Sequence, residues 1–144
     1  MRIRRAELGD LAQIVQIEGL CFPEETAFPP GMFAYLIRHS VALVACDEGK
    51  VVGFVMGYTS GSGGAIYTLD VHPQYQRKGI GSRLILALEE ALRCQGARAI
   101  RLEAALEKPW TLELYRKAGY RERELVRHYY GRGKHAVRMW KNLK

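Results

Sequence analysis

Leu11, Ile14, Val15 and Glu18 recur at helical spacing, which predicts a first helix over residues 8–20. Glu7-Leu8-Gly9-Asp10 leads into it, and Asp10 suits the positive end of a helix. Residues 2–6 ahead of it read as a short strand. The segment 22–30 cannot be regular, because Pro23, Pro29 and Pro30 fix the backbone and remove donors. It predicts an apolar, stiffened loop, either a connector between helices or one wall of a substrate groove. A short helix resumes over residues 32–39.

Two β-rich runs follow, 41–45 and 51–58, and the turn cluster Asp47-Glu48-Gly49-Lys50 between them predicts an antiparallel hairpin. Residues 60–64, all serine and glycine, read as a flexible link to a strand over 65–71. A helix then places Leu84, Leu88, Ala91 and Leu92 on one face, with Glu89, Glu90 and Arg93 expected in solvent, and Gly96 is a good C-terminal stop. Residues 99–104 alternate as a strand. Pro109 opens a helix that Gly119 closes, and two strands over 120–128 and 134–142 flank the turn-rich stretch 129–133. With no repeat or linker interrupting this order, the chain reads as one domain over 1–144, an α/β (α+β) fold with strands outnumbering helices.

The segment between the fourth strand and the third helix carries the chemistry. Gln76-Arg77-Lys78-Gly79-Ile80-Gly81-Ser82 sets two glycines one residue apart at the mouth of a helix, where unpaired N–H groups and the positive dipole end favour an anion. Arg77, Lys78 and Arg83 add formal charge. A nucleotide-triphosphate loop would need Lys-Ser/Thr after the second glycine, and Ser82-Arg83 stands there instead. A dinucleotide turn would need a third glycine where Leu84 stands. The expected guest is a different pyrophosphate-bearing cofactor.

Composition narrows the classes further. No apolar run approaches the ~20 residues of a membrane span, and Met1-Arg2-Ile3-Arg4-Arg5 has no apolar stretch behind it to make a signal peptide, so a cytoplasmic location is expected. Cys21, Cys46 and Cys94 are odd in number and far apart, which predicts buried small side chains rather than disulfides or a zinc site. His39, His72, His128 and His135 fall at no ligand spacing, so no metal is expected. A net charge of +7 favours polyanionic partners. Much of it sits near the C-terminus without an RNA-binding aromatic signature, so nucleic acid is not expected.

Gln76-Arg77-Lys78-Gly79-Ile80-Gly81 resembles the Q/R-x-x-G-x-G/A signature of the GNAT superfamily of acetyl-CoA-dependent N-acetyltransferases, and the element order over nearly the whole chain agrees with it. Leu112-Glu113-Leu114-Tyr115-Arg116-Lys117-Ala118-Gly119-Tyr120 is similar to the L-Y-x-K-x-G-F/Y motif of its RimI-like branch, the ribosomal-protein alanine and archaeal protein N-terminal acetyltransferases.

That resemblance implies a central, mostly antiparallel sheet of about seven strands with four helices. It implies acetyl-CoA as cosubstrate, held by Leu69, Asp70, Val71, Gln76, Arg77, Lys78, Gly79, Ile80, Gly81, Ser82 and Lys108. It further implies Glu103 as general base and Tyr115 as the acid that protonates the leaving thiolate, where the residues alone would read as a strand carboxylate and a half-buried aromatic. Phe22, Phe28, Tyr129 and Tyr130 fall on the elements that would line the groove for a protein N-terminal peptide, a ribosomal protein among the candidates. Relatives often carry Asn where Lys108 stands and Val-Arg where Ala104-Ala105 stands. Two other readings stay open: an acetyltransferase for a small amine or lysine side chain, and a non-catalytic module binding coenzyme A or RNA.

Overall fold

The computed structural model describes residues 1–22 and 27–143 of the chain. Its strands are β1 (Arg2–Arg5), β2 (Val41–Asp47), β3 (Lys50–Ser60), β4 (Gly63–Val71), β5 (Ala99–Ala105), β6 (Arg121–Val126) and β7 (Ala136–Asn142). They form one seven-stranded sheet in the order β1-β2-β3-β4-β5-β7-β6. Four α-helices cover it: α1 (Leu11–Cys21), α2 (Pro30–His39), α3 (Ile80–Cys94) and α4 (Pro109–Lys117). This is the α/β architecture that the succession of elements predicts.

Strand alternation builds two cores. Val41, Leu43 and Ala45 of β2 point to α3, where they join Leu84, Leu88 and Leu92, while Ala42 and Val44 point the other way into a cluster with Ile14 and Ile17 of α1 and Phe33 and Leu36 of α2. Phe33 meets Phe54 of β3 edge to face, with ring centroids 5.5 Å apart. β2 and β3 are joined at Asp47↔Lys50 through Glu48 and Gly49, both at positive φ, a turn whose twist suits a hairpin.

Four expectations need correction. The serine-glycine stretch is a tight hairpin in which Ser60 pairs with Gly63, so β4 begins two residues earlier than its apolar run suggests. The second helix likewise begins at Pro30, proline being well suited to a first turn. Cys94 is exposed, and Cys21 and Cys46 are only partly buried. Glu89 is buried rather than solvated: Lys141 of β7 reaches its carboxylate at 3.0 Å and the Tyr120 hydroxyl donates to it at 2.9 Å.

One topological detail creates the site. All neighbouring strands run antiparallel except β4 and β5, and that parallel pair is hydrogen-bonded only over Gly63–Ala65 against Ala99–Arg101. Beyond those three residues the strands part. Ile66 to Val71 and Leu102 to Ala105 become the two sides of a wedge that opens toward the start of α3.

Candidate active site

The wedge opens on one side into a cleft of about 630 Å³ lined by Val71, Gln76, Arg77, Gly79, Gly81 and Ser82, with Trp110, Leu114 and Lys117 of α4 facing them. Gly79 is the residue before α3 and has φ +81°, a left-handed conformation that favours glycine, and a Cβ there would meet open space. The first bond closing the helix runs from the Arg83 N–H to the Gly79 carbonyl at 3.1 Å. The amides from Gly79 to Ser82 are therefore the unpaired donors of a helix start, and no side chain caps them. Leu84, Leu88 and Leu92, all fully buried, contribute roughly 2 kcal/mol each, more than the roughly 1 kcal/mol that a capping side chain adds. Packing on the sheet thus holds α3 while leaving its amino end available to an anion.

Gly81 is constrained differently. A Cβ on it would lie 2.8 Å from Leu114 Cδ2, so the second glycine lets α4 close against α3 and shape the cleft. Gln76 reaches back and donates to the Val71 carbonyl at 3.0 Å, fixing the turn to the end of β4. Arg77 and Lys78 are exposed at the rim.

On the other side of the wedge lies a smaller cavity of about 40 Å³. Glu103, Tyr115, Tyr130, Phe22, Phe28, Leu69, Glu18, Thr111 and Lys108 all contribute to its wall. Glu103 stands on β5 opposite in parity to Ile100 and Leu102, which are buried in the core, so its carboxylate emerges into the wedge. Arg138 Nε donates to Glu103 Oε2 at 2.8 Å, and Arg101 Nε lies 3.3 Å from the same oxygen. Tyr129 donates to Oε1 at 3.4 Å, and Tyr130 to the Glu103 backbone carbonyl at 3.0 Å.

Tyr115 is buried, and burial pushes its phenol well above the ordinary tyrosine range. Burial does the same to Tyr130, and to Tyr129 with help from the Glu103 charge. These hydroxyls are proton donors at any physiological pH.

The structure divides the residues singled out in the sequence. Val71, Gln76, Arg77, Gly79, Ile80, Gly81 and Ser82 gather in the large cleft, and Lys78 stacks its ammonium 5.3 Å from the neighbouring Tyr75 ring. Glu103, Tyr115, Phe22, Phe28, Leu69 and Tyr130 gather at the small cavity, with Tyr129 behind Glu103. Lys108 sits with this second group rather than in the cleft. Its Nζ lies 3.6 Å from the Phe22 ring centroid, and burial lowers its pKa. The Asp70 side chain points away from the cleft, buried against Glu18. Of the loop over 22–30, residues 23–26 lie outside the described residues.

Glu18, Thr111, Arg101 and Arg138 also border this site, and sequence reasoning did not single them out for function. Glu18 carried a signal: a carboxylate occupying the apolar period set by Ile14 and Ile17.

The helix start on one side of the wedge leaves its amides open in a way that suits an anion, and the cavity on the other side is lined by carboxyl and phenol groups. Comparison with known sequences agrees: residues 11–120 match the Acetyltransferase (GNAT) family, and the chain belongs to it. It is an acetyl-CoA-dependent N-acetyltransferase. An N-alpha-acetyltransferase of Sulfurisphaera tokodaii is 33% identical, the alignment covering 96% of this chain and 90% of that protein. Among solved structures, Ard1 from Thermoplasma volcanium superposes with TM-score 0.91 at 24% identity, covering 99% of this chain and 97% of that one. The ribosomal-protein-S18-alanine N-acetyltransferase of Escherichia coli gives 0.86 at 24%, covering 99% and 94%.

Proposed function

We propose that this enzyme acetylates the α-amino group of protein N-termini by direct attack of the amine on the thioester, with Glu103 as general base and Tyr115 as general acid. The observation that carries the reading is the convergence of Glu103, Tyr115 and Tyr130 on one small cavity in the wedge, next to the cleft at Gly79. The S. tokodaii relative, an N-alpha-acetyltransferase by name, supports the choice of acceptor. In this reading a ribosomal protein is one substrate candidate and the cell interior is the place of action.

The chemistry follows from the groups present. Main-chain amides at Gly79 to Ser82 and the Arg77 guanidinium hold the diphosphate of acetyl-CoA. A backbone N–H of β4 between Leu69 and Val71 stabilises negative charge on the carbonyl oxygen. As the C–N bond forms, Glu103 takes a proton from the nitrogen. As the C–S bond breaks, Tyr115 gives its phenolic proton to sulfur. No covalent enzyme intermediate is required. The cavity's modest volume and aromatic walls at Phe22, Phe28 and Tyr130 suit the first residue of an extended peptide.

The test uses acetyl-CoA with peptides bearing free or blocked N-termini, scored by mass spectrometry. Acetylation of free N-termini is expected, with Tyr115→Phe and Glu103→Gln each lowering kcat by about 10²-fold or more. Activity on blocked peptides carrying lysine would favour a side-chain acceptor. Unchanged turnover in both variants would remove the mechanism.

A further inference from the structure

A row of charges crosses the sheet behind the small cavity. β7 lies between β5 and β6, and its register sets Arg138 opposite Glu103 on one neighbour and Glu124 on the other. Opposed residues of antiparallel strands share a face, so the backbone itself aligns a carboxylate, a guanidinium and a second carboxylate. An irregularity in β6 makes this possible. Arg121 and Glu122 pair with Trp140 and Met139, a register that would bring Arg123 against Arg138, but it shifts there and Glu124 takes the place. The guanidinium of Arg123 lies instead 5.1 Å from the Trp140 ring centroid.

The side chains use this alignment. Arg138 Nε donates to Glu103 Oε2 and its Nη1 donates to Glu124 Oε1, both at 2.8 Å. Hydrogen bonds to Glu103 and then to Glu124 raise the pKa of the guanidinium, so it stays charged. The two oxygens of Glu103 are thereby made unequal. Oε2 accepts the short, charge-assisted bond, whereas Oε1 has the Tyr129 hydroxyl at 3.4 Å, long for an O–H donor. Oε1 is therefore the oxygen with room to take a proton.

Arg101 and Lys108 are the other cations near Glu103, and neither donates a hydrogen bond to it among the described residues. Arg101 Nε stays 3.3 Å from Oε2 without one, and Lys108 Nζ lies over the Phe22 ring. Arg138 is outside the cavity wall, so its effect on the chemistry passes through Glu103. As a brace for the fold the row contributes little, because the Arg138 and Glu124 side chains are 30% and 57% exposed and exposed ion pairs are weak.

We propose that Arg138 is a positioning residue for acetyl transfer, clamping Glu103 by Oε2 and presenting Oε1 to the substrate amine, with Glu124 steadying the guanidinium from behind. In the transfer the N–H bond breaks as the C–N bond forms. The bonding pair stays on nitrogen and the proton goes to Oε1. Tyr115 protonates the departing sulfur, and the proton on Glu103 then restores Tyr115, so none is gained or lost over the turnover. This assignment rests on the reading that Glu103 is the general base.

The experiment measures kcat and KM with acetyl-CoA and a peptide bearing a free N-terminus for the wild type, Arg138→Ala, Arg138→Lys, Glu124→Gln and Glu103→Gln. Thermal melting checks the folding of each. Arg138→Ala should lose about tenfold or more in kcat with the peptide KM changed by less than about twofold, because a carboxylate that is free to swing reacts poorly without binding the peptide any less. Guanidinium ion, added far below denaturing concentrations, should restore part of the Arg138→Ala rate and none of the Glu103→Gln rate. Arg138→Lys should fall between alanine and the wild type, since an ammonium supplies the charge without the planar fork. Glu124→Gln should be mild, because glutamine keeps an oxygen for Nη1. Where Arg138→Ala melts early, the same split of kcat from KM in Arg138→Lys decides. A loss confined to KM, an unchanged kcat in Arg138→Ala, or no recovery with either lysine or guanidinium would overturn the proposal. Full activity of Glu103→Gln would instead displace the base itself, so the two failures are distinguishable.

Discussion

Tyr115 shows how one residue's surroundings hold its proton in place. Its ring packs edge to face on Tyr120, with centroids 5.8 Å apart, and its hydroxyl edge borders the cavity. Burial raises the phenol's pKa, so it stays protonated across the ordinary tyrosine range and beyond. A stopped assay of kcat up to about pH 10 should show no basic limb from loss of this proton, whereas an exposed tyrosine acid would begin to fail there. Glu103 and Tyr115 were readable as a pair in the sequence because the family resemblance points to both positions. The burial of Asp70 against Glu18 was not: each residue sits among apolar neighbours on its own element, and only the packing of α1 under β4 unites them.

At the scale of elements, the hairpins and helix ends were the most legible, because glycines and prolines act locally. Asp47 to Lys50 and Pro109 are examples. What local signals could not reveal was how closely elements approach. A Cβ on Gly57 of β3 would stand 2.5 Å from the Ala65 carbonyl oxygen, a backbone atom that cannot move aside, whereas one on Gly81 would meet the mobile tip of Leu114. Gly57→Ala should therefore lose about 3 kcal/mol and Gly81→Ala about 1 kcal/mol in urea unfolding. A larger loss at Gly81 would mean that Leu114 is locked by α4.

For the molecule as a whole, the link between the two flanks of the wedge matters most. Lys141 of β7 and Glu89 of α3 are 52 residues apart and meet beside Tyr120, at the base of the wedge. Such a partner is invisible to periodicity, which is why Glu89 looked solvated. Lys141→Met would leave the Glu89 carboxylate buried without its cation and should cost about 3 kcal/mol, while the double variant with Glu89→Gln should recover most of it. A double-mutant cycle in denaturant measures the coupling. An equal loss in both backgrounds would reduce Lys141 to its packing.

Among the described residues the cleft at Gly79 draws no wall from beyond Lys117, whereas the small cavity takes Tyr130 from the β6–β7 connection and Glu103 is steadied by Tyr129 and Arg138 from the same hairpin. α4 contributes to both, so in the proposed reading the hairpin is the stretch that serves the acceptor side alone. Grafting residues 127–135 from a relative should exchange the preferred peptide while the grip on acetyl-CoA stays as it was, which makes the hairpin tip the natural place to retune this catalyst.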